Sequence, residues 1–317
     1  MTLAFPIFLA VNLAFVLFWL IFKASRVWLP LAGVALCWNF VRDYIPVNLP
    51  SPAPADTWKV ITYNTCTFGG KEALDDEGHN QVVSYLGESN ADIICLQETW
   101  GEASVKELRE LLEGQGYEVV RYKGEMLCSR LHIIESDTLS FPTRSNGGFR
   151  ALLTDDVDTL LLVNCHLESN HLSQEVKREY KDAVRSYESD SIVHGLMPML
   201  RLLSVAAPMR AAQTDSIAAI IERNRDLPII ICGDFNDTPV SYTHRVLTRR
   251  LSSAYVKSGR GAGITFLDRG FPVRIDHILY DGNYFNSFDT HIDHSISFSD
   301  HSPVITFLAK KHENLRK

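Results

Sequence analysis

The chain has 317 residues, of which 46% are hydrophobic and 22% are charged. This composition excludes a mostly disordered or collagen-like chain, and the length suits one large domain with appendages. Removing Lys23, Arg26, Arg42 and Asp43 from the 31 basic and 38 acidic residues leaves 28 and 37 in residues 51–317, a net charge of −9. A region this acidic does not attract polyanions by charge alone, so a phosphate substrate would need local cations or a metal.

The first 45 residues contain two uncharged apolar runs. Residues 1–22 are long enough to cross a bilayer as a helix, whereas residues 27–41 fall short alone at about 1.5 Å per residue. We predict a transmembrane helical hairpin over residues 1–45, with a cleaved signal peptide and a buried soluble hairpin as alternatives. The turn carries Lys23 and Arg26, which places it in the cytoplasm. The rest of the chain is therefore expected on the extracytoplasmic side of the cell membrane.

Residues 46–57 contain four prolines and are predicted to form a stiff linker that lifts a domain off the bilayer. Short apolar runs then alternate with amphipathic segments, which predicts one α/β domain over residues 58–310. The predicted strands are 59–63, 92–96, 117–122, 126–130, 149–153, 159–165, 228–232, 274–280 and 303–308. The predicted helices are 79–89, 104–115, 174–203, 207–224 and 240–248. So many strands with few helices favour two packed sheets covered by helices over a doubly wound parallel sheet.

The six cysteines match no zinc-binding spacing and fall mostly in apolar runs, so we predict free, mostly buried thiols.

Six of the apolar runs carry an acid, an amide or an imidazole at or near one end. These residues are Asn64; Gln97 and Glu98; His166; Asp234 and Asn236; Asp276; and Asp300 with His301. Each has a structural explanation by itself, as a turn residue, a helix N-cap before Val240 or a satisfied core histidine. Coincidence explains all six poorly, because strand ends meet at one edge of a sheet and can line one cleft.

Asp276 is the hardest of these residues to explain structurally. Its carboxylate lies among Ile275, Ile278 and Leu279 and must be paired or desolvated at a cost. Arg274 is one partner to consider. His277 alternates to the other side of the strand and is left out of the site.

The series of motifs resembles the endonuclease/exonuclease/phosphatase superfamily, which includes deoxyribonuclease I, and within it a membrane-anchored member of bacterial type. The resemblance covers about residues 58–308, and its most specific parts are Gly-Asp-Phe-Asn at 233–236 and Ser-Asp-His at 299–301. Calcineurin-like metallophosphatases also carry Asp and Asn at strand ends, but the Gly-Asn-His motif they need does not occur here. The resemblance implies a four-layer α/β sandwich, in which two mixed sheets face each other with helices outside.

The resemblance also implies a cofactor. By motif position, Glu98 would be the principal ligand of Mg²⁺, with Mn²⁺ as the alternative, and Asn64 and Asp300 would lie close to the metal. Hard oxygen ligands in small number suit Mg²⁺, which takes its remaining ligands from water and substrate phosphate.

The catalytic residues implied by the resemblance are His166, Asp234, Asn236, Asp276 and His301. His301, oriented by Asp276, would take the proton of the attacking water, and Asp234 is the other candidate for that role. Asn236 would hold the nucleophile or a phosphate oxygen.

The position of His166 implies that it binds the scissile phosphate or protonates the leaving oxygen. Related branches pair this histidine with a glutamate, for which Glu125 is a candidate.

We therefore expect a membrane-anchored, metal-dependent hydrolase of phosphate esters, most simply a phosphodiesterase or nuclease. A lipid or inositol-phosphate phosphodiesterase or phosphatase acting on head groups at the bilayer is the alternative, and a catalytically inactive scaffold is the remote one. Residues 168–203 are expected to include an insertion beside the cleft, whose second half serves either as a lid or membrane-contacting surface or as a helix packed on the sheet. No protein partner is indicated.

Overall fold

The computed structural model describes residues 4–143, 146–170, 189–268 and 271–311. Within these ranges the α-helices are α1 (Phe5–Phe22), α2 (Trp28–Leu36), α3 (Trp38–Tyr44), α4 (Gln81–Glu88), α5 (Glu102–Gly114), α6 (Ser189–Arg223), α7 (Tyr242–Leu247) and α8 (Ala254–Ser258). The strands in the same ranges are β1 (Trp58–Asn64), β2 (Ile93–Gln97), β3 (Glu118–Tyr122), β4 (Glu125–Ser129), β5 (His132–Thr138), β6 (Gly148–Thr154), β7 (Thr159–His166), β8 (Ile229–Asp234), β9 (Ser252–Ser253), β10 (Phe266–Asp268), β11 (Phe271–Val273), β12 (Asp276–Tyr280), β13 (Phe285–Ile292) and β14 (Val304–Lys310).

The strands form two six-stranded sheets and a small hairpin. The first sheet has the order β13-β14-β1-β2-β4-β3 and the second has the order β5-β6-β7-β8-β12-β9, while β10 pairs with β11. Both sheets are mixed, because β1 runs parallel to β2 and β7 runs parallel to β8 whereas their other neighbours are antiparallel. The prediction of two mixed sheets flanked by helices is confirmed.

The alternation of side chains along each strand builds the four layers. On β1, Val60 packs into the core between the two sheets, and Ile61 packs outward against α4 and α5. On β8, Ile230 likewise faces the inter-sheet core while Ile231 faces α6. Strands of this kind are apolar on both faces, which is why they appear in the sequence as continuous runs without a polar alternate residue.

All six cysteines are free, as predicted, and Cys95, Cys128, Cys165 and Cys232 are buried on strands. Cys66 is partly buried, and Cys37 in the N-terminal region is exposed.

The N-terminal region consists of apolar helices with little burial. By length and composition, α1 can cross a membrane, whereas α2 and α3 qualify only as a pair bent by 66°. The exposed residues of α1 are large and apolar, among them Leu17 and Ile21. The transmembrane hairpin and its orientation stay predictions.

Several elements differ from the sequence prediction, among them the short strands β9, β10 and β11 and the helix α8, none of which was predicted. The strands β5 and β13 were not predicted, because they are exposed and carry polar residues at many positions. Residues 189–223 form one helix rather than the ends of two, and residues 174–188 of the predicted helix lie outside the described residues.

Candidate active site

The pairing of strands brings the polar strand ends to one edge of the molecule. In the first sheet, β1 and β2 run parallel with Asn64 opposite Gln97, so Asn64 and the following Glu98 are neighbours. In the second sheet, His166 at the end of β7 is opposite Asp234 at the end of β8. Asp276, which begins β12, is the antiparallel partner of Asp234. The two facing sheets therefore place these ends on either side of one cleft.

Gly233 allows β8 to approach β7 closely enough for this arrangement. Its φ is +151°, and a Cβ atom there would lie 1.8 Å from the carbonyl oxygen of Cys165. Only glycine fits such a contact, because any side chain would collide with the neighbouring backbone. This requirement explains the first residue of the Gly-Asp-Phe-Asn motif.

Asp234 lies at the centre of the cleft and is almost fully buried. Its Oδ2 atom accepts a hydrogen bond from Asn64 Nδ2 at 3.1 Å and lies 3.4 Å from His166 Nε2 and 3.7 Å from His301 Nε2. Its Oδ1 atom accepts a bond from the Asn236 backbone N–H at 2.8 Å. Burial and then the charge of Asp276 raise the pKa of Asp234 to about 7, although His301 opposes the shift.

Asp276 and His301 form a buried pair. His301 Nδ1 and Asp276 Oδ2 are 2.8 Å apart, and the His301 ring packs against Phe266 with centroids 4.9 Å apart. Burial opposes a charge on His301, but the carboxylates of Asp276, Asp234 and Asp300 outweigh burial and raise its pKa to about 10. The imidazole is therefore protonated at neutral pH.

Arg274 is not the partner of Asp276. Its guanidinium donates to backbone carbonyl oxygens of Ala262 and Asp43, and it lies over the ring of Tyr255. The alternative pairing considered from the sequence is therefore wrong. His277 lies on the other side of the strand from Asp276, as the alternation predicted. Its Nε2 is 3.1 Å from the carbonyl oxygen of Asp237.

His166 is buried and is held as a neutral ring. Burial lowers its pKa to about 4, and the charge of Glu98, whose Oε1 lies 3.9 Å from His166 Nε2, only partly offsets this effect. The backbone N–H of His166 donates to Gly147, and a backbone hydrogen bond from Gly147 also acts on Glu125. Burial is the main cause that raises the pKa of Glu125 to about 7.

Glu168 is a second carboxylate near His166, and sequence reasoning missed it. It is buried two residues after His166, and its charge raises the pKa of that histidine. A nearby buried cation was missed as well: Arg210 donates to the Glu168 carbonyl oxygen at 3.0 Å and to Asn170 Oδ1 at 2.7 Å. An acid directly after a buried strand was the one available signal, whereas Arg210 lies on a helix far along the chain.

Asn236, the second residue after β8, has left-handed backbone geometry with φ of +50°. Its Nδ2 donates to the carbonyl oxygen of Leu167 at 3.0 Å. The helix N-cap considered for this position is instead Ser241, whose hydroxyl accepts from the His244 backbone N–H. Asn236 is therefore fixed at the cleft by Leu167, the residue after β7, rather than by the following helix.

Two of the residues expected to bind a metal, Asn64 and Glu98, are bonded to each other at the cleft. Asn64 Nδ2 donates to Glu98 Oε1 at 3.1 Å, and Glu98 is about one-third exposed. Burial first, and then the charges of Asp300 and Glu98, raise the pKa of the Cys66 thiol to about 12, so both carboxylates lie near that one sulfur. Oxygen donors that are few in number and partly open to solvent fit Mg²⁺.

The amide of Asn64 presents its nitrogen, not its oxygen, to these carboxylates. Its Oδ1 accepts from the Cys66 backbone N–H at 3.1 Å. In this arrangement Asn64 orients Glu98 and Asp234, and ligation through oxygen would require the amide to turn over.

A second group with metal-ligating atoms consists of Asp234, Asp276 and His301, whose atoms lie within 4.8 Å of one another. The bond between Asp276 and His301 already engages two of its three members. This group is better suited to holding and moving protons than to binding a hard cation.

Comparison with known proteins agrees with the fold. The Endonuclease/Exonuclease/phosphatase family matches residues 61–301, which is more than half of the chain. Residues 1–44 match a domain of unknown function. No curated protein matches the chain.

Several solved structures are similar over most of their length. The human nocturnin catalytic domain with bound sulfate anion is 16% identical with a TM-score of 0.59, over 84% of this chain and 96% of that one. D. rerio TDP2 complexed with single strand DNA product is 16% identical with a TM-score of 0.58, over 80% and 99%. An endonuclease/exonuclease/phosphatase from Bacteroides vulgatus is 17% identical with a TM-score of 0.56, over 80% and 99%. At these identities the likeness shows a shared fold.

Proposed function

Because this chain belongs to the endonuclease/exonuclease/phosphatase family, we propose that it is a Mg²⁺-dependent phosphodiesterase attached to a membrane. The observation that carries the proposal is the position of Asp234, whose Oδ2 atom lies within 3.7 Å of Asn64, His166 and His301 side-chain nitrogens. Asp234 is thus a carboxylate surrounded by side-chain nitrogens, and it shares Asn64 with the carboxylate of Glu98. This arrangement supports hydrolysis by a bound water. The DNA product in the TDP2 structure supports a phosphodiester as the substrate class.

Glu98 would hold the metal, with Asp300 and Asn64 beside it, and Mn²⁺ could replace Mg²⁺. When bound, the metal supplies positive charge that offsets the charge of the phosphate. That charge is needed here, because residues 51–317 carry a net charge of −9.

Asp234 is the better candidate for the proton acceptor. A base must be unprotonated at working pH, and the pKa of Asp234 is raised only to about 7 whereas that of His301 is raised to about 10. His301, held by Asp276, would then be a cation that binds a phosphate oxygen. This assignment reverses the preference for His301 drawn from the sequence.

The remaining two residues would position the substrate. His166, with its pKa lowered to about 4, is neutral at pH 7 and suits hydrogen bonding to the phosphate better than protonation of the leaving oxygen. Asn236 lies two residues after Asp234, is bonded to it through its backbone N–H, and would hold the attacking water or a phosphate oxygen.

We further propose that residues 1–45 form the membrane hairpin and residues 58–310 the catalytic domain, on the extracytoplasmic side. An alkaline phosphatase fused after Lys317 tests the orientation, since the fusion is active only if that end is exported. An inactive fusion in a stable chain would place the domain in the cytoplasm.

The activity is tested with the full chain in detergent and bis-p-nitrophenyl phosphate as the substrate. We expect hydrolysis with Mg²⁺, loss of hydrolysis with a chelator, and recovery when Mg²⁺ is added back. Glu98→Gln should raise the Mg²⁺ concentration needed for half-maximal rate by at least about 10-fold. Glu88→Gln, an exposed glutamate on α4, is the control and should change nothing. A folded protein without turnover would favour the inactive scaffold.

A further inference from the structure

The segment that follows the N-terminal helices lies on the surface of the catalytic domain. This docking segment, Asp43–Asn48, makes backbone contacts at two points: the Gly261 N–H donates to the Pro46 carbonyl oxygen at 2.9 Å, and Val47 forms an antiparallel bridge with Arg260. Asn48 Nδ2 donates to the carbonyl oxygens of Gly259 at 2.7 Å and Val256 at 3.1 Å. The first residues of the predicted linker are therefore part of the domain surface rather than a spacer.

The buried Arg274 joins the docking segment to the chain just before β12, the strand that begins with Asp276. Arg274 is 3% exposed, donates to the carbonyl oxygens of Ala262 at 2.7 Å and of Asp43, and lies 4.3 Å from the ring centroid of Tyr255. A buried guanidinium without partners is costly, and the docking segment supplies one of the two acceptors. Arg274 Nε has no hydrogen-bond partner in the described part of the chain, so removal of the segment would leave the buried charge with one acceptor fewer still, and the domain favours the docked state.

Arg274 also sets the distance between the N-terminal helices and the active site. It precedes Asp276 by two residues, and two residues of extended chain span about 7 Å. The reach of an arginine side chain is similar, which puts the Asp43 carbonyl group on the order of 15 Å from Asp276. The end of α3 therefore lies beside the catalytic edge rather than at the far side of the domain.

The helix α1 begins close to the end of α3. The ring of Phe5, at the start of α1, packs 5.5 Å from the ring of Tyr44 and 6.4 Å from that of Phe40. Arg245 of the catalytic domain lies over Phe40 at 5.3 Å. From this start next to α3, α1 runs for about 27 Å with its apolar side chains exposed. A bilayer around α1 would thus have its surface next to the docking segment.

We propose that the docking segment holds the active site at the bilayer surface, and that the substrate is a phosphodiester carried by a membrane lipid. This inference rests on the proposed phosphodiesterase activity. Two arguments favour a lipid over nucleic acid: the chain geometry that puts the Asp43 carbonyl group on the order of 15 Å from Asp276, and the net charge of −9 over residues 51–317. An acidic domain repels a polyanion along its whole length, whereas a single head group presents its charge only at the cleft.

Two substrates with the same scissile bond test the proposal. Methyl p-nitrophenyl phosphate is water-soluble, and hexadecyl p-nitrophenyl phosphate inserts into phosphatidylcholine vesicles, because each buried CH₂ contributes about 0.8 kcal/mol. With the full chain reconstituted in these vesicles, we expect the hexadecyl ester to be cleaved at least about 10-fold faster at equal total concentration. A single-stranded oligonucleotide is the third substrate and should be cleaved most slowly.

The outcomes separate the two proposals. Cleavage of the methyl and hexadecyl esters at equal rates would overturn the lipid assignment and leave the phosphodiesterase intact, as would preferred cleavage of the oligonucleotide. Cleavage of none of the three by folded protein with Mg²⁺ would overturn both.

The role of the docking segment is tested by Asn48→Ala and by inserting six Gly and Ser residues between Ile45 and Pro46. Each should reduce the preference for the hexadecyl ester several-fold while turnover of the methyl ester stays unchanged. Asn286→Ala, an exposed residue of β13, is the control and should keep the preference. A full preference in both docking variants would show that the membrane helices alone position the site.

Discussion

The two faces of β12 carry buried histidines in opposite states. On one face, Asp276 bonds His301, and neighbouring carboxylates raise the pKa of that imidazole to about 10. On the other face, His277 lies 5.1 Å from His244, and within the described ranges the charged side chains that act on these two rings are Arg274 and, for His277, His244. Burial lowers the pKa of His244 to about 3 and that of His277 well below its usual value. All three rings are at most 6% exposed, so burial is not what separates them.

On these two faces of β12, the charge state of a buried imidazole depends on whether a carboxylate is hydrogen-bonded to the ring, as Asp276 is to His301. Removal from water disfavours the charged ring on both faces, and only the carboxylates beside His301 overcome it. Within the described part of the chain, both ring nitrogens of His244 are without a hydrogen-bond partner. Chemistry is therefore expected on the carboxylate face, while the other face contributes packing and a pH-dependent stability.

Gly233 lies on β8 opposite β12, and both faces depend on this pairing. Its replacement should therefore have the largest effect on the stability of the fold. It is the register partner of His277, while Asp234 is the partner of Asp276. Gly233→Ala places a methyl group 1.8 Å from the Cys165 carbonyl oxygen and should cost more than about 4 kcal/mol, so that little folded chain is recovered. Yield and monodispersity in detergent measure this loss.

Gly114→Ala is the matched control for this substitution. Gly114 ends α5, and a Cβ atom there meets nothing within 4 Å. Normal recovery of Gly233→Ala would mean that β7 and β8 can separate without loss of the fold.

The next largest effect concerns the carboxylate face alone. Asp234→Asn keeps the shape of the side chain but cannot accept a proton, so kcat should fall about 10²- to 10⁴-fold with the fold intact. In the unmodified protein, activity should rise as pH passes about 7, because Asp234 must lose its proton to act as the base. It should fall again near pH 10 as His301 loses its proton.

Asp289→Asn, at an exposed position of β13, is the control and should keep both kcat and the pH profile. A single rise in activity centred near pH 10 would instead assign the base to His301, as first expected from the sequence. That result would also mean that the cationic imidazole has no part in phosphate binding.

Local sequence was sufficient for the central strands and for the polar strand ends. The strands β1, β2, β7, β8 and β14 are apolar on both faces, and such runs are visible without any knowledge of their partners. The edge strands β5 and β13 were missed because they are rich in polar residues, show no regular apolar alternation and gain their order by pairing. Glu168 was missed because its role depends on how close it lies to His166 in the folded chain.

Contacts between distant parts of the chain could not be predicted. Arg274 was considered as a partner for Asp276 because the two are close in sequence, but it bonds Asp43, which lies 231 positions away. The prolines in residues 46–57 indicate an extended chain. An extended chain can pair with the surface of a domain as readily as it can act as a spacer in solvent. Family resemblance supplied the roles of the site residues, and it carries no information about the docking segment.

The smallest effect concerns the histidine face. The pKa of His244 is about 3 in the folded chain and 6.5 when exposed, so the unfolded chain alone takes up a proton below pH 6.5. The stability that the neutral ring provides is therefore present above pH 6.5 and is lost as pH falls, by about 1.4 kcal/mol per pH unit. His244→Phe should remove this part of the pH dependence, so that melting temperature falls about 2–4 °C less than in the unmodified chain between pH 7.5 and 5.5. His291→Phe, at an exposed position, should leave the pH dependence unchanged, and an equal fall in His244→Phe would mean that His244 is already protonated or solvated when folded.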